Sequence, residues 1–122
     1  MTALSDMRRS FDDFVIDYDA SRCDEFTPHF PIHPLSPGER GALIGALNRE
    51  LGGDGNRKQF LKALTGFASS KDLTDAEWWA LKHVLEYENV GGAWAISTEA
   101  AQAARQVIAE AMQSPGQMEL FG

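Results

Sequence analysis

Apolar residues near the start of the chain recur at spacings of three and four. Met7, Phe11, Phe14, Val15 and Tyr18 line one face of a helix, and Arg9, Asp12, Asp13 and Asp17 mark its polar side. Ser5 is the expected N-cap, with Asp6 placed favourably in the first turn. Pro28, Pro31, Pro34 and Pro37 then remove backbone donors and bias the residues before them away from helix, so residues 21–36 are expected to form a connector. A second helix starts where Ser36 can cap, Pro37 fits the first helical position and Glu39 completes a capping box; Leu43, Ile44, Leu47 and Leu51 form its apolar stripe. Gly52-Gly53 stops it. Asn56 and Gln59 resemble a second capping pair, opening a short helix whose Phe60, Leu61, Leu64 and Phe67 are expected to face inward.

The sharpest local signal is Leu73-Thr74-Asp75-Ala76-Glu77-Trp78. Thr74 caps, Glu77 reciprocates, and Leu73 is placed to staple onto Trp78 across the cap. That helix is expected to pass Leu81 and Leu85 toward Glu88, with Gly91-Gly92 breaking the chain before Trp94 and Ile96. Ser97 or Thr98 caps a last helix with Ala100, Ala104, Val107, Ile108 and Ala111 on its buried side. No run alternates with period two for long enough to demand a strand. The pattern predicts an all-α protein, a compact bundle of about five short helices in one domain over residues 1–113, followed by a flexible interaction tail at residues 114–122 that opens on the helix-stopping Ser114-Pro115-Gly116.

At 122 residues and 13.4 kDa the chain is one domain's worth of sequence. Its net charge of −7 disfavours a basic nucleic-acid coat, which needs a surplus of Lys and Arg to neutralise phosphates. The charge is uneven: −5 over residues 1–39, +2 over 40–83 and −4 over 84–122. A lone cysteine, Cys23, cannot close an internal disulfide. With no long apolar run and no basic-then-apolar leader, a cytoplasmic protein without membrane association is expected. There is no Gly-rich phosphate loop, no HExxH and no CxxC, so a non-enzymatic role without a cofactor is expected.

The tail reads Gln117-Met118-Glu119-Leu120-Phe121-Gly122. It resembles the motif with which bacterial DNA polymerases and repair proteins bind the β sliding clamp, usually Gln-Leu-x-Leu-Phe, with Met118 standing where Leu is commoner. The resemblance implies that Gln117 fills a small polar pocket, Met118 sits at the rim, and Leu120 and Phe121 enter an apolar groove. Glu119 takes the tolerant position. Two apolar anchors and one polar selector on an extended peptide make a common recognition mode. Residues 56–85, with Ser69-Ser70-Lys71-Asp72-Leu73-Thr74 between two helices, more loosely resemble a small helical module of phage recombination and replication proteins. Together the two resemblances imply a replication or recombination accessory of phage derivation, recruited to the clamp or blocking it. The rival reading is a protein- or DNA-binding helical module, including a phage-type inhibitor, that acts through residues 40–85 or the acidic N-terminal face while the tail packs on its own core.

Other constellations carry less. Arg57, Lys58 and Lys62 lie where they could make weak contact with DNA phosphates, but scattered bases on outer helix faces are ordinarily solvation. Cys23, His29 and His33 offer three zinc ligands and lack the fourth cysteine or histidine of a structural site, so no metal site is expected. Asp12, Asp13, Asp17 and Asp19 read as a solvated helix face. Trp78 and Trp79 are about 100° apart on a helix, which sends Trp78 inward and leaves Trp79 half-exposed as a candidate partner surface. His83, near a helix boundary, is expected to be structural.

Overall fold

The computed structural model describes residues 3–22, 35–67 and 69–112. It is all-α, as the pattern predicts. In chain order the elements are α1 (Ala3–Arg22), α2 (Pro37–Leu51), α3 (Asp54–Thr65), a single 3-10 turn (Ser70–Asp72), α4 (Asp75–Val84), β1 (Glu88–Val90), β2 (Ala93–Ala95) and α5 (Thr98–Met112). Helix α1 lies mainly on α4 and α5, while α3 packs between α5 and α2. The core cluster takes Phe11 from α1, Leu43 and Leu47 from α2, Phe60, Leu61 and Leu64 from α3, Trp78 and Leu81 from α4, and Ala104 and Val107 from α5. Each fully buried leucine contributes on the order of 1.5–3 kcal/mol of apolar burial.

Three of the helix starts follow the sequence closely. Ser36 Oγ accepts the Glu39 N–H at 3.2 Å and donates to Glu39 Oε1, with Pro37 opening α2. Thr74 and Glu77 form the reciprocal capping box, at 3.2 Å and 2.9 Å, and Leu73 and Trp78 on either side of it are both buried. Ser97, not Thr98, caps α5 by accepting the Ala100 N–H at 3.0 Å.

Elsewhere tertiary packing overrides the local signal. Ser5 is not the N-cap of α1, because the helix already includes Ala3. The backbone N–H groups of Ala3 and Leu4 instead donate to the Glu110 carboxylate of α5, at 3.1 Å and 2.9 Å. Helix α1 also runs to Arg22, two residues into the expected connector. Helix α3 starts at Asp54 with Gly53 as its N-cap, so Asn56 caps nothing there; its side-chain amide reaches back to the Leu51 carbonyl at 2.6 Å and ties off the end of α2. Phe67 lies past the Gly66 stop and is 44% exposed, so it belongs outside the core. Met7, Phe11 and Tyr18 are buried as their spacing predicts, and Ala101 joins the predicted face of α5.

The largest departure follows α4. The helix stops at Val84 and does not approach Glu88. Glu86 adopts a left-handed conformation with φ of 50°, and the N–H groups of Glu86 and Tyr87 turn back to the carbonyls of His83 and Lys82, each at 3.1 Å. This is a Schellman-type ending with glutamate in the place glycine usually takes. The chain then forms an antiparallel hairpin that pairs Glu88 with Ala95, Asn89 with Trp94 and Val90 with Ala93. Gly91 and Gly92 make its two-residue turn, with φ of 64° and 90°. Positive φ at both central residues is what a type I′ hairpin turn requires.

Candidate functional site

The capping box at Thr74 fixes where α4 begins and therefore its rotational phase. Trp78, Leu81 and Leu85 point into the core, and a stripe of Trp79, half-buried against the core's edge, Lys82 and His83 runs beside them at helical spacing, with Glu86 just past the helix end. The hairpin and α1 close over that stripe from two sides. Tyr87, buried, sets its ring 5.6 Å from that of Trp94 on β2 at a tilt of 33°, and Phe14 of α1 stacks 4.8 Å from His83. Between them is a cleft of about 390 Å³, bounded by Phe14, Trp79, Lys82, His83, Trp94 and the hairpin residues 86–89.

Lys82 is the centre of this arrangement. Its ammonium stands 4.9 Å from the Trp79 ring centroid and 5.0 Å from that of Trp94, while Glu39 Oε2 lies 3.9 Å away. The two indole faces thus share one cation, which holds the hairpin against α4. Glu86 accepts the Ser97 hydroxyl, linking the end of α4 to the cap of α5, and Asn89 Oδ1 accepts the Gly92 N–H at 3.0 Å across the turn. Trp94 remains 49% exposed, an indole at the mouth of a lined cleft. The dimensions suit a side chain or a small ligand, and the walls combine flat apolar faces with a few charged groups.

The residues singled out from sequence fall elsewhere. Gln117, Met118, Leu120 and Phe121 lie outside the described residues, as do Cys23, His29 and His33. Arg57 is held in place: its Nε donates to Asn48 Oδ1 at 2.9 Å, and a terminal nitrogen lies 3.9 Å from Asp54. Lys58 and Lys62 are exposed on the same side of α3, one turn apart. Of the other bases in residues 40–83, Arg40 pairs with Asp75 at 2.9 Å and lies over the Trp78 ring, and Lys82 is committed to the cleft. Asp12, Asp13, Asp17 and Asp19 are exposed on α1, and among the described residues no three His, Cys, Asp or Glu side chains converge in a metal-binding group. Trp78 is buried and Trp79 half-buried, as their angular separation predicts. His83 is exposed at the end of α4 and makes one wall of the cleft.

The cleft itself was not among the sequence candidates. The stripe on α4 was available as a signal, but Trp94 and Phe14 join it only through the hairpin and the packing of α1. Among the described residues no helix is long and apolar enough to cross a membrane. The site therefore belongs to a small helical bundle with an appended hairpin. No family model, curated protein or solved structure matches the chain.

Proposed function

We propose that this chain is a non-enzymatic accessory of DNA replication or recombination, of phage derivation, that docks on the bacterial β sliding clamp through Gln117, Met118, Leu120 and Phe121. The observation that carries the reading is the pentapeptide itself, Gln-Met-Glu-Leu-Phe at residues 117–121, following a Ser-Pro-Gly stop. The last described helix ends at Met112, ahead of that stop, and the described core is assembled from residues 7–108. A folded body preceding a short apolar peptide is the layout that a tethered ligand requires. Burying Leu120 and Phe121 would supply about 1.5–3 kcal/mol each, so a micromolar affinity, about 8 kcal/mol, also needs the Gln117 hydrogen bonds, Met118 and the peptide backbone. The helical body is the part recruited to the clamp, or the bulk that denies the groove to other ligands. Arg57, Lys58 and Lys62 offer at most a weak DNA contact, because Arg57 is already engaged by Asn48 and Asp54.

The test is binding of the full chain to purified clamp by calorimetry, beside a synthetic peptide of residues 114–122. Both are expected to bind in the micromolar range. The double variant Leu120→Ala with Phe121→Ala is expected to lose binding with its melting temperature unchanged. A full chain and peptide that both fail to bind the clamp would refute the proposal, as would a double variant that binds normally.

A further inference from the structure

The cleft beside α4 has a chemistry of its own, and no part of that chemistry rests on the tail motif. Trp79 and Trp94 come from different elements, yet both present their faces to one ammonium at nearly equal distance, 4.9 Å and 5.0 Å. Each indole face carries negative quadrupolar potential, so the pair forms a slot selective for positive charge. The charged groups around it share that preference. Glu86 and Glu88 belong to the cleft lining, Glu39 approaches Lys82, and Asp17 is exposed one turn beyond Phe14 on α1. Lys82 is the single Lys or Arg among the cleft's described lining residues. A phosphate-bearing ligand would face several carboxylates against one ammonium. A cation would meet two indole faces and a carboxylate rim.

We propose that this cleft is a docking site for a basic protein segment, whose arginine side chain enters the slot between Trp79 and Trp94 in place of Lys82. Lys82 is the resident competitor. It has a second anchor in Glu39 at 3.9 Å, a half-exposed carboxylate toward which it can withdraw. A guanidinium is the better occupant, because its plane stacks on an indole while its edge N–H groups reach carboxylates. Glu88, exposed on the hairpin at the border of the cleft, adds negative charge to its rim. The width of the cleft, about 390 Å³ in volume, accommodates such a side chain with part of its peptide backbone.

The experiment measures binding of the full chain to a fluorescently labelled Gly-Arg-Gly-Arg-Gly peptide by anisotropy. Its neutral citrulline counterpart and a short oligothymidylate serve as comparison probes. The arginine peptide is expected to bind at least about tenfold tighter than the citrulline peptide. Lys82→Met, which removes the competitor and keeps the apolar stem, is expected to tighten binding about two- to fivefold. Trp94→Leu is expected to weaken it about tenfold; its helical circular dichroism is checked alongside. Glu88→Gln, an exposed position, provides a second weakening variant that does not touch the fold. Equal binding of the two peptides, no gain in Lys82→Met, preference for the oligothymidylate, or no binding to any probe would each overturn the proposal. The last of these outcomes would leave the Trp79–Lys82–Trp94 contact as a clasp that fastens the hairpin.

Discussion

Glu110 sets two opposing electrostatic effects against each other, and the structure says which should win. It lies in the last turn of α5, where a negative side chain opposes the helix dipole, and that turn holds no basic residue to offset it. By local rules alone Glu110→Ala should stabilise α5, through relief of about 0.3–1 kcal/mol of dipole repulsion and a small gain in helix propensity. The carboxylate, however, accepts two N–H groups at the start of α1, from Ala3 at 3.1 Å and Leu4 at 2.9 Å, and a third contact from Gln106 at 3.3 Å. Those two donors are partly buried. Hydrogen bonds to a charged acceptor contribute about 1.5–3 kcal/mol each when buried, and an N-cap typically about 1 kcal/mol, so about 1.5–2 kcal/mol is a reasonable total for this half-exposed pair. Subtracting the relief in α5 leaves a net loss of about 1 kcal/mol. For a domain of roughly 100 residues that corresponds to a melting temperature lower by about 4–8 °C. Glu110→Gln retains an acceptor oxygen and should fall by about half as much. Thermal unfolding followed by circular dichroism measures both, and hydrogen exchange at the amides of Ala3 and Leu4 localises the effect. An unchanged or raised melting temperature in Glu110→Ala would show that the dipole term dominates and that α1 is not capped from α5.

Two further substitutions probe features that position the cleft. Thr74→Ala removes the acceptor for the Glu77 N–H and should cost about 1 kcal/mol, read as a lower denaturation midpoint with an unchanged slope. Gly92→Ala forces a side chain onto φ of 90° in the hairpin turn; it should cost about 1–2 kcal/mol locally and shift the tryptophan emission as Trp94 leaves Lys82, with the far-ultraviolet helical signal retained.

The parts of this fold that were legible in the sequence are those whose cause lies within four residues. Thr74 and Glu77, or Ser36 and Glu39, meet because a single helical turn brings them together, and the stripes of α1, α2 and α5 follow from the same periodicity. The parts that escaped depend on distance or on exposure. Glu110 caps a helix that begins 107 residues earlier, and no window along the chain contains both ends of that contact. The two strands are three residues each, and β2 is exposed throughout, so no alternation of apolar and polar residues records them. Their one local trace is Gly91-Gly92, which reads equally as a breaker or as a type I′ turn until the flanking residues are seen to pair. Missing the hairpin meant missing Trp94, and with it the cleft. The residues of the tail motif, by contrast, were legible only as a motif, since they lie outside the described residues.

The charge distribution shows how folding changes a conclusion drawn along the chain. By segment, the acid lies on the flanks and residues 40–83 are mildly basic, which invites a nucleic-acid surface in the middle. In three dimensions three of that segment's seven bases are engaged within the fold, while Arg49, Lys58, Lys62 and Lys71 stay exposed. Arg40 is paired with Asp75, Arg57 is held by Asn48, and Lys82 sits between two indoles beside Glu39. The acidic flanks meet each other instead: α1 brings Phe14 to α4, with Asp17 exposed one turn further along, and the chain after Val84 adds Glu86 and Glu88 on the other side. The one lysine inside that rim stabilises the fold by neutralising it. A surface built this way repels phosphates at the range where a diffusing partner first senses charge, and it attracts basic segments at the same range. The body of the protein is therefore suited to meeting another protein, and on the clamp-docking reading its route to DNA runs through the clamp rather than through its own lysines.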